Sequence, residues 1–280
     1  MHLSLLSQVH YFRKLQMDHP EVNAHPVRFA RRLAEWRVLS AFSRPFVVPF
    51  TRYGVEFICP PEWRGMSKMA YTLRDAYEPE MPHLARWVSK DSVAVDVGAH
   101  YGAWTIALAA LGASVHAIEP ARHALEILHR NIELNNLRNV ITYPVALGEA
   151  ETELELFMHA DASRASMGDF VGKTTGVEVV RVTTLDELIP ERVDFIKIDI
   201  EGFELPALKG ASRILAARQA VVLFEVQPQA ARRSGHDPFA AWQLLADHGY
   251  RFEQLSSDNS WRSVDRPEHA RSPNVVAIPR

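Results

Sequence analysis

Apolar residues recur at near-helical spacing through positions 29, 33, 36, 39 and 42, so residues 27–42 predict an amphipathic helix. Arg28, Arg31, Arg32 and Arg37 fall at other positions around it. Residues 46–58 predict two short strands about a turn at 52–54, and residues 79–89 predict a helix. From residue 92 the pattern changes. Short apolar runs at 92–97, 114–118, 140–143, 193–198 and 220–226 alternate with helical patterns at 103–110, 122–135, 205–217 and 239–248. Residues 153–158 and 178–182 form a further extended pair, and 250–254 and 275–278 predict an antiparallel edge pair. Strands alternating with helices in this way predict parallel βαβ units with right-handed crossovers.

Composition adds limits. The 280 residues are 47% apolar and 23% charged, a globular balance that excludes a largely disordered chain. The lone cysteine, Cys59, excludes an intramolecular disulfide and an all-cysteine metal cluster. With no charged-then-apolar start in the first ten residues, it predicts a cytoplasmic protein. No apolar run reaches the ~18–20 residues of a membrane span. The net charge of −3 divides unevenly, +5 over residues 1–90 and −8 over 91–280. The chain as a whole is not expected to bind nucleic acid. The basic front helix is expected to pack its apolar stripe with arginines in solvent, the alternative being contact with an anionic acceptor or a membrane surface.

The first βα unit carries the sharpest local signal. Val93-Ala94-Val95-Asp96-Val97-Gly98 reads as a buried strand ending in an acid and a glycine, where doubly wound sheets bind ligands. Gly98 and Gly102 let backbone pass close to a ligand. Glu119-Pro120 ends the second strand 23 residues after Asp96, a position from which a carboxylate can take both hydroxyls of a ribose. The loop reads Gly-Ala-His-Tyr-Gly-Ala and lacks the second and third glycines of a dinucleotide fingerprint, so nothing there cradles two phosphates. These residues fit an adenosine-containing cofactor.

The second constellation is Lys197-Ile198-Asp199-Ile200-Glu201-Gly202-Phe203-Glu204. Alternation puts Lys197, Asp199 and Glu201 on one side of the strand and its extension. Three charges there demand pairing or solvent, so the residues read either as a polar reaction floor or as an ion pair beside a helix-capping acid.

These residues, followed by Leu208-Lys209-Gly210, resemble the signature of FkbM-type S-adenosylmethionine-dependent methyltransferases. Tyr77-Glu78-Pro79-Glu80, Val95 to Gly102, Thr183 to Leu188 and Phe224-Glu225-Val226 agree in order and spacing, over roughly residues 76–280. One departure is His100, where the family usually has Asn. The resemblance implies a Rossmann-like class I methyltransferase fold: a mainly parallel seven-stranded sheet with helices on both faces, 91–280 as the cofactor-binding domain and 1–90 as an N-terminal extension. It implies S-adenosylmethionine as cofactor, on Glu78, Asp96, Gly98, Ala99, His100, Gly102, Thr105, Glu119, Pro120 and Asp199. It implies methyl transfer to a hydroxyl of a sugar, glycan or natural product. Asp199 is then the first candidate for base, Glu201 the second, and Lys197 a stabiliser of the developing oxyanion. Glu201, Glu204, Glu225 and, from the insertion, Ser163 and Ser166 are candidates for the acceptor pocket. No compact metal motif appears, and none is expected to be used. The competing readings are a catalytically silent binding module and a nicotinamide-dependent oxidoreductase with a degenerate loop.

Overall fold

The computed structural model describes residues 20–42, 45–60, 62–159, 165–166, 174–256, 258–266 and 274–280. The predicted front helix spans Pro26–Ala41. It buries Phe29 and rests Leu33, Trp36 and Leu39 on the body, but Phe42 is 69% exposed and stands outside the stripe. A hairpin of β1 (Phe46–Phe50) and β2 (Val55–Cys59) follows, as expected. Helix Arg64–Leu73 was not expected; its apolar positions are punctuated by Lys, Ser and Thr. The helix predicted over 79–89 is only a 3-10 segment, Met81–Arg86. Pro82 in its first turn removes a backbone donor.

The body begins with β3 (Val93–Val97), helix Ala103–Ala110, β4 (Ser114–Ile118), helix Arg122–Leu134 and β5 (Val140–Tyr143). Next come β6 (Ala146–Leu147), β7 (Thr152–His159), β8 (Ala165–Ser166) and β9 (Thr174–Thr183), which form a separate four-stranded sheet in the order β6-β9-β7-β8. β10 (Phe195–Ile198), β11 (Val221–Glu225), β12 (Tyr250–Leu255), β13 (Trp261–Val264) and β14 (Asn274–Pro279) complete the chain. The main sheet has the order β13-β12-β14-β11-β10-β3-β4-β5. Its pairs from β11 through β10, β3 and β4 to β5 are parallel; β14, β12 and β13 run antiparallel at the other edge. The sheet thus has one strand more than expected. The extra one, β13, alternates too little and buries too little to stand out from its flanking loop.

The helix predicted over 205–217 is broken into Glu204–Lys209 and Ser212–Ala216. A Cβ on Gly210 would lie 2.1 Å from the Gly148 carbonyl oxygen, so the backbone of another loop occupies that space. The second piece starts afresh under Asp186, whose carboxylate accepts from the backbone N–H groups of Arg213 and Ile214.

β10 lies between β3 and β11, and the sheet order reverses beside β3. Ligands of open α/β sheets bind at such a point, outside the carboxyl ends of the strands. Both sequence constellations are at those ends.

Candidate active site

Parallel register places Lys197 of β10 beside Asp96 of β3. Beyond the strands, Gly98 runs against the chain at Asp199. With φ of 78° and only 2.1 Å between a built Cβ and the Asp199 carbonyl oxygen, no side chain fits there. The loop after β3 is pinned by Ile118, whose carbonyl accepts from Gly98 N and Ala99 N. Ala99 is buried and the Gly102 backbone is left-handed, with φ of 95°.

Glu119 closes this loop. One carboxylate oxygen accepts from His100 N and the other from Ala121 N, both at 2.8 Å. Burial pushes its carboxyl up to about 7 against those two hydrogen bonds. Pro120 follows, half-buried. His100 adopts φ of 53°, and its ring stacks on Trp63 from the front segment, 4.7 Å between centroids. Trp63, which nothing in the periodicity singled out, therefore packs on the cofactor loop.

Asp96 is buried. Its Oδ2 accepts from Thr105 Oγ1 at 2.6 Å, while Oδ1 has no hydrogen-bond partner. Burial raises its pKa, and Lys197 opposes that rise. Thr105 thus acts on Asp96 from below. Glu78, from the front segment, is driven by burial to about 8, again against Lys197.

Lys197 is the cation of this acidic group. Its side chain is 4% exposed, its Nζ lies 2.9 Å from Asp199 Oδ2, and it sits over the Trp104 ring at 5.7 Å. Burial alone would lower its pKa, but the charges of Asp199, Asp96 and Glu78 raise it. Asp199 is 37% exposed in its side chain. Burial works against its charge, yet the Lys197 ammonium and its hydrogen bond hold the carboxyl below the usual carboxylate range.

Glu225 behaves oppositely. Burial, then the charge on Asp199, push it up to about 9. Its Oε1 accepts from Gln227 Nε2 at 3.0 Å; its buried Oε2 takes no hydrogen bond from a donor. The two acids are therefore pushed in opposite directions, Asp199 down and Glu225 up.

β10 ends at Ile198, so strict alternation does not extend to Glu201, which lies exposed in a left-handed turn with φ of 54°. Glu204 closes that turn: its Oε1 accepts from Ile200 N and Gly202 N, burial raises its carboxyl to about 7, and it lines one pocket with Glu225. Ser163 lies outside the described residues. Ser166 falls in β8, and only its backbone is described. Among the described residues, no group of three or more His, Cys, Asp or Glu side chains is placed to hold a metal ion. None of their helices is long and apolar enough to cross a membrane.

The site suits S-adenosylmethionine. The buried Asp96 Oδ1 has an unused acceptor site, and among the described residues the carboxylates gathered here outnumber the ammonium of Lys197. A cation with hydroxyls and no phosphate meets those demands. A mainly parallel, doubly wound sheet with such acids at its reversal point has the Rossmann-like architecture of nucleoside-cofactor-binding proteins.

The methyltransferase FkbM domain model matches residues 96–252. The chain belongs to the FkbM methyltransferase family, and the cofactor that goes with this membership is S-adenosylmethionine. Comparison with curated protein sequences finds no match. Among solved structures, the chain is similar to an FkbM methyltransferase from Methylobacillus flagellatus KT, at 17% identity and a TM-score of 0.45, over 92% of this chain and 60% of that one. It is similar to a precorrin-6y C5,15-methyltransferase from Geobacter metallireducens GS-15, at 16% identity and a TM-score of 0.43, over 74% of this chain and 91% of that one. It is also similar to a tRNA (uracil-54, C5)-methyltransferase from Pyrococcus abyssi, solved with S-adenosyl-L-homocysteine, at 14% identity and a TM-score of 0.44, over 83% of this chain and 43% of that one. The family assignment rests on the domain model alone.

Proposed function

We propose that this methyltransferase acts on oxygen, methylating a hydroxyl of a sugar, glycan or other small natural product. The observation that carries the reading is the Asp199 carboxylate at the end of β10, partly open to solvent and paired with the Lys197 ammonium at 2.9 Å. Bound in the cleft, S-adenosylmethionine supplies a methyl group on a cationic sulfur. Asp96, Glu78 and Glu119 would hold and orient that cation and its ribose. Asp199 would accept the proton of the acceptor hydroxyl as its oxygen takes the methyl group, the methyl–sulfur bond breaking and S-adenosylhomocysteine leaving. Lys197, 2.9 Å from Asp199, disperses the negative charge that develops. Holding acceptor oxygen and methyl carbon ~3 Å apart in line contributes much of the acceleration.

The test is Asp199→Asn against a panel of hydroxylated acceptors, with S-adenosylhomocysteine affinity measured in parallel. Turnover lost by about 10²-fold or more with affinity retained supports the base. Full turnover removes it, and methylation confined to carbon or nitrogen acceptors removes the oxygen reading.

A further inference from the structure

The basic front contains a second cavity, of about 550 Å³, open to solvent on one side. Four guanidinium groups line it: Arg28 and Arg32 from helix Pro26–Ala41, Arg52 from the β1–β2 turn, and Arg74 from the end of helix Arg64–Leu73. Three carboxylates also line it, and each is engaged. Glu21 pairs with Arg28 at 3.7 Å. Asp75 accepts from Thr51 Oγ1 and from Arg52 N. Asp258 pairs with Arg262 at 2.5 Å. The wall is therefore cationic by one charge; Glu21 is engaged by Arg28 of the wall itself, Asp75 by the β1–β2 turn and Asp258 by Arg262.

Arg74 adds an independent observation. Its backbone sits at φ 52°, ψ −122°, a conformation that disfavours any residue with a Cβ. Its guanidinium lies over the Tyr71 ring at 5.1 Å, and its Nε is buried with no hydrogen-bond partner. Arg32 is also partly buried, donating from Nη1 to Thr72 O at 3.1 Å. Two partly exposed guanidinium groups are thus held next to like charge, one of them on strained backbone and with a buried, unused Nε donor. A bound anion would offset that repulsion and take up the donor. Ala76 and Pro79 line this cavity, while Glu78 between them acts on Lys197, so one short segment separates it from the cofactor cleft.

We propose that this cavity binds a phosphate- or pyrophosphate-bearing small molecule, held by Arg28, Arg32, Arg52 and Arg74. Planar guanidinium forks match the oxygens of a phosphate pairwise, and the volume suits a small molecule rather than a single ion. The site is separate from the acceptor pocket and stands whatever atom is methylated.

The test is calorimetric titration of the full chain with inorganic pyrophosphate at low ionic strength. Saturable one-to-one binding is expected. It should weaken about tenfold or more in Arg32→Gln and in Arg74→Gly, the latter suited to the backbone there, and stay unchanged in Arg37→Gln, outside the cavity. The paired exposed substitutions Arg28→Gln and Arg52→Gln should also weaken it, and they leave the buried atoms untouched should either first variant fail to fold. No saturable binding, binding retained in the cavity variants, or an equal loss in Arg37→Gln overturns the proposal. So does binding of a heparin oligosaccharide with none of pyrophosphate, which would make the arginines a surface for extended polyanions.

Discussion

Replacing Lys197 with Met keeps the side-chain volume and removes the ammonium that lies 2.9 Å from Asp199. At that distance the attraction is about 6 kcal/mol for an effective dielectric near 20. Partial exposure of Asp199 and the desolvation of both groups reduce what stability the pair contributes. A second bound comes from protonation. Once Lys197 is gone, Asp199 can escape its uncompensated charge by taking up a proton, which at pH 7 costs at most about 4 kcal/mol from an ordinary aspartate pKa. A loss of about 2–4 kcal/mol is therefore expected at pH 7, about 3–7 °C in melting temperature for a chain of this length. The bound shrinks to about 1.5 kcal/mol at pH 5. In the wild type the folded pKa of Asp199 lies below its unfolded value. Its contribution is present above the unfolded pKa and lost as pH falls through the folded one. In the variant the folded pKa lies above the unfolded value, so the penalty grows as pH rises. Both effects widen the gap between the proteins toward high pH. Urea unfolding at pH 5, 7 and 8 measures it, and Lys197→Met with Asp199→Asn should recover part of the loss. A deficit that does not change with pH, or a double variant no better than the single one, would refute the reasoning.

Glu119, Glu78 and Glu225 have folded pKa values raised to about 7, 8 and 9. Their stability contribution is complete below the unfolded carboxyl range and lost as pH rises through those values; calorimetry of the free protein should show the melting temperature falling from pH 6 to 9.5, and saturating S-adenosylmethionine should reduce the fall. Glu119→Gln replaces one of two backbone-accepting oxygens with a donor; titration calorimetry should show cofactor affinity reduced about tenfold or more. Gly98→Ala drives a Cβ against the Asp199 carbonyl from left-handed backbone, and denaturant unfolding should show a loss of about 3 kcal/mol or more.

The placement of Asp96, Gly98 and Glu119 at neighbouring strand ends was legible because its determinants are local. Asp96, Gly98 and Glu119 belong to consecutive strand–loop–helix units, and apolar strands on both sides fix which ends they occupy. Lys197 and Asp199 were legible as charges that a central strand cannot bury unpaired. The turn at Glu201 was not legible, because alternation continues only while the strand does and the chain leaves the strand at Ile198. Glu204 reads as one more acid in a row, and only the turn geometry shows its carboxylate turned back on its own backbone. Trp63 and Arg74 had no signal at all. The first matters through a ring more than thirty residues away, the second through a backbone conformation and neighbours from three other segments.

The outer side of β2 has a further consequence. Asn135 accepts from Glu56 N and donates to Glu56 O, while Asn131 accepts from Ile58 N and donates to Tyr101 O in the cofactor loop. Two amides on one helix face thus substitute for a third strand, occupying backbone groups that would otherwise template pairing with another chain. The same helix holds the hairpin edge and the cofactor loop. A chain started at residue 90 would leave Asn131 and Asn135 without those partners and strip the wall from one side of the loop. The edge of the hairpin is protected only while the front and this helix are both present.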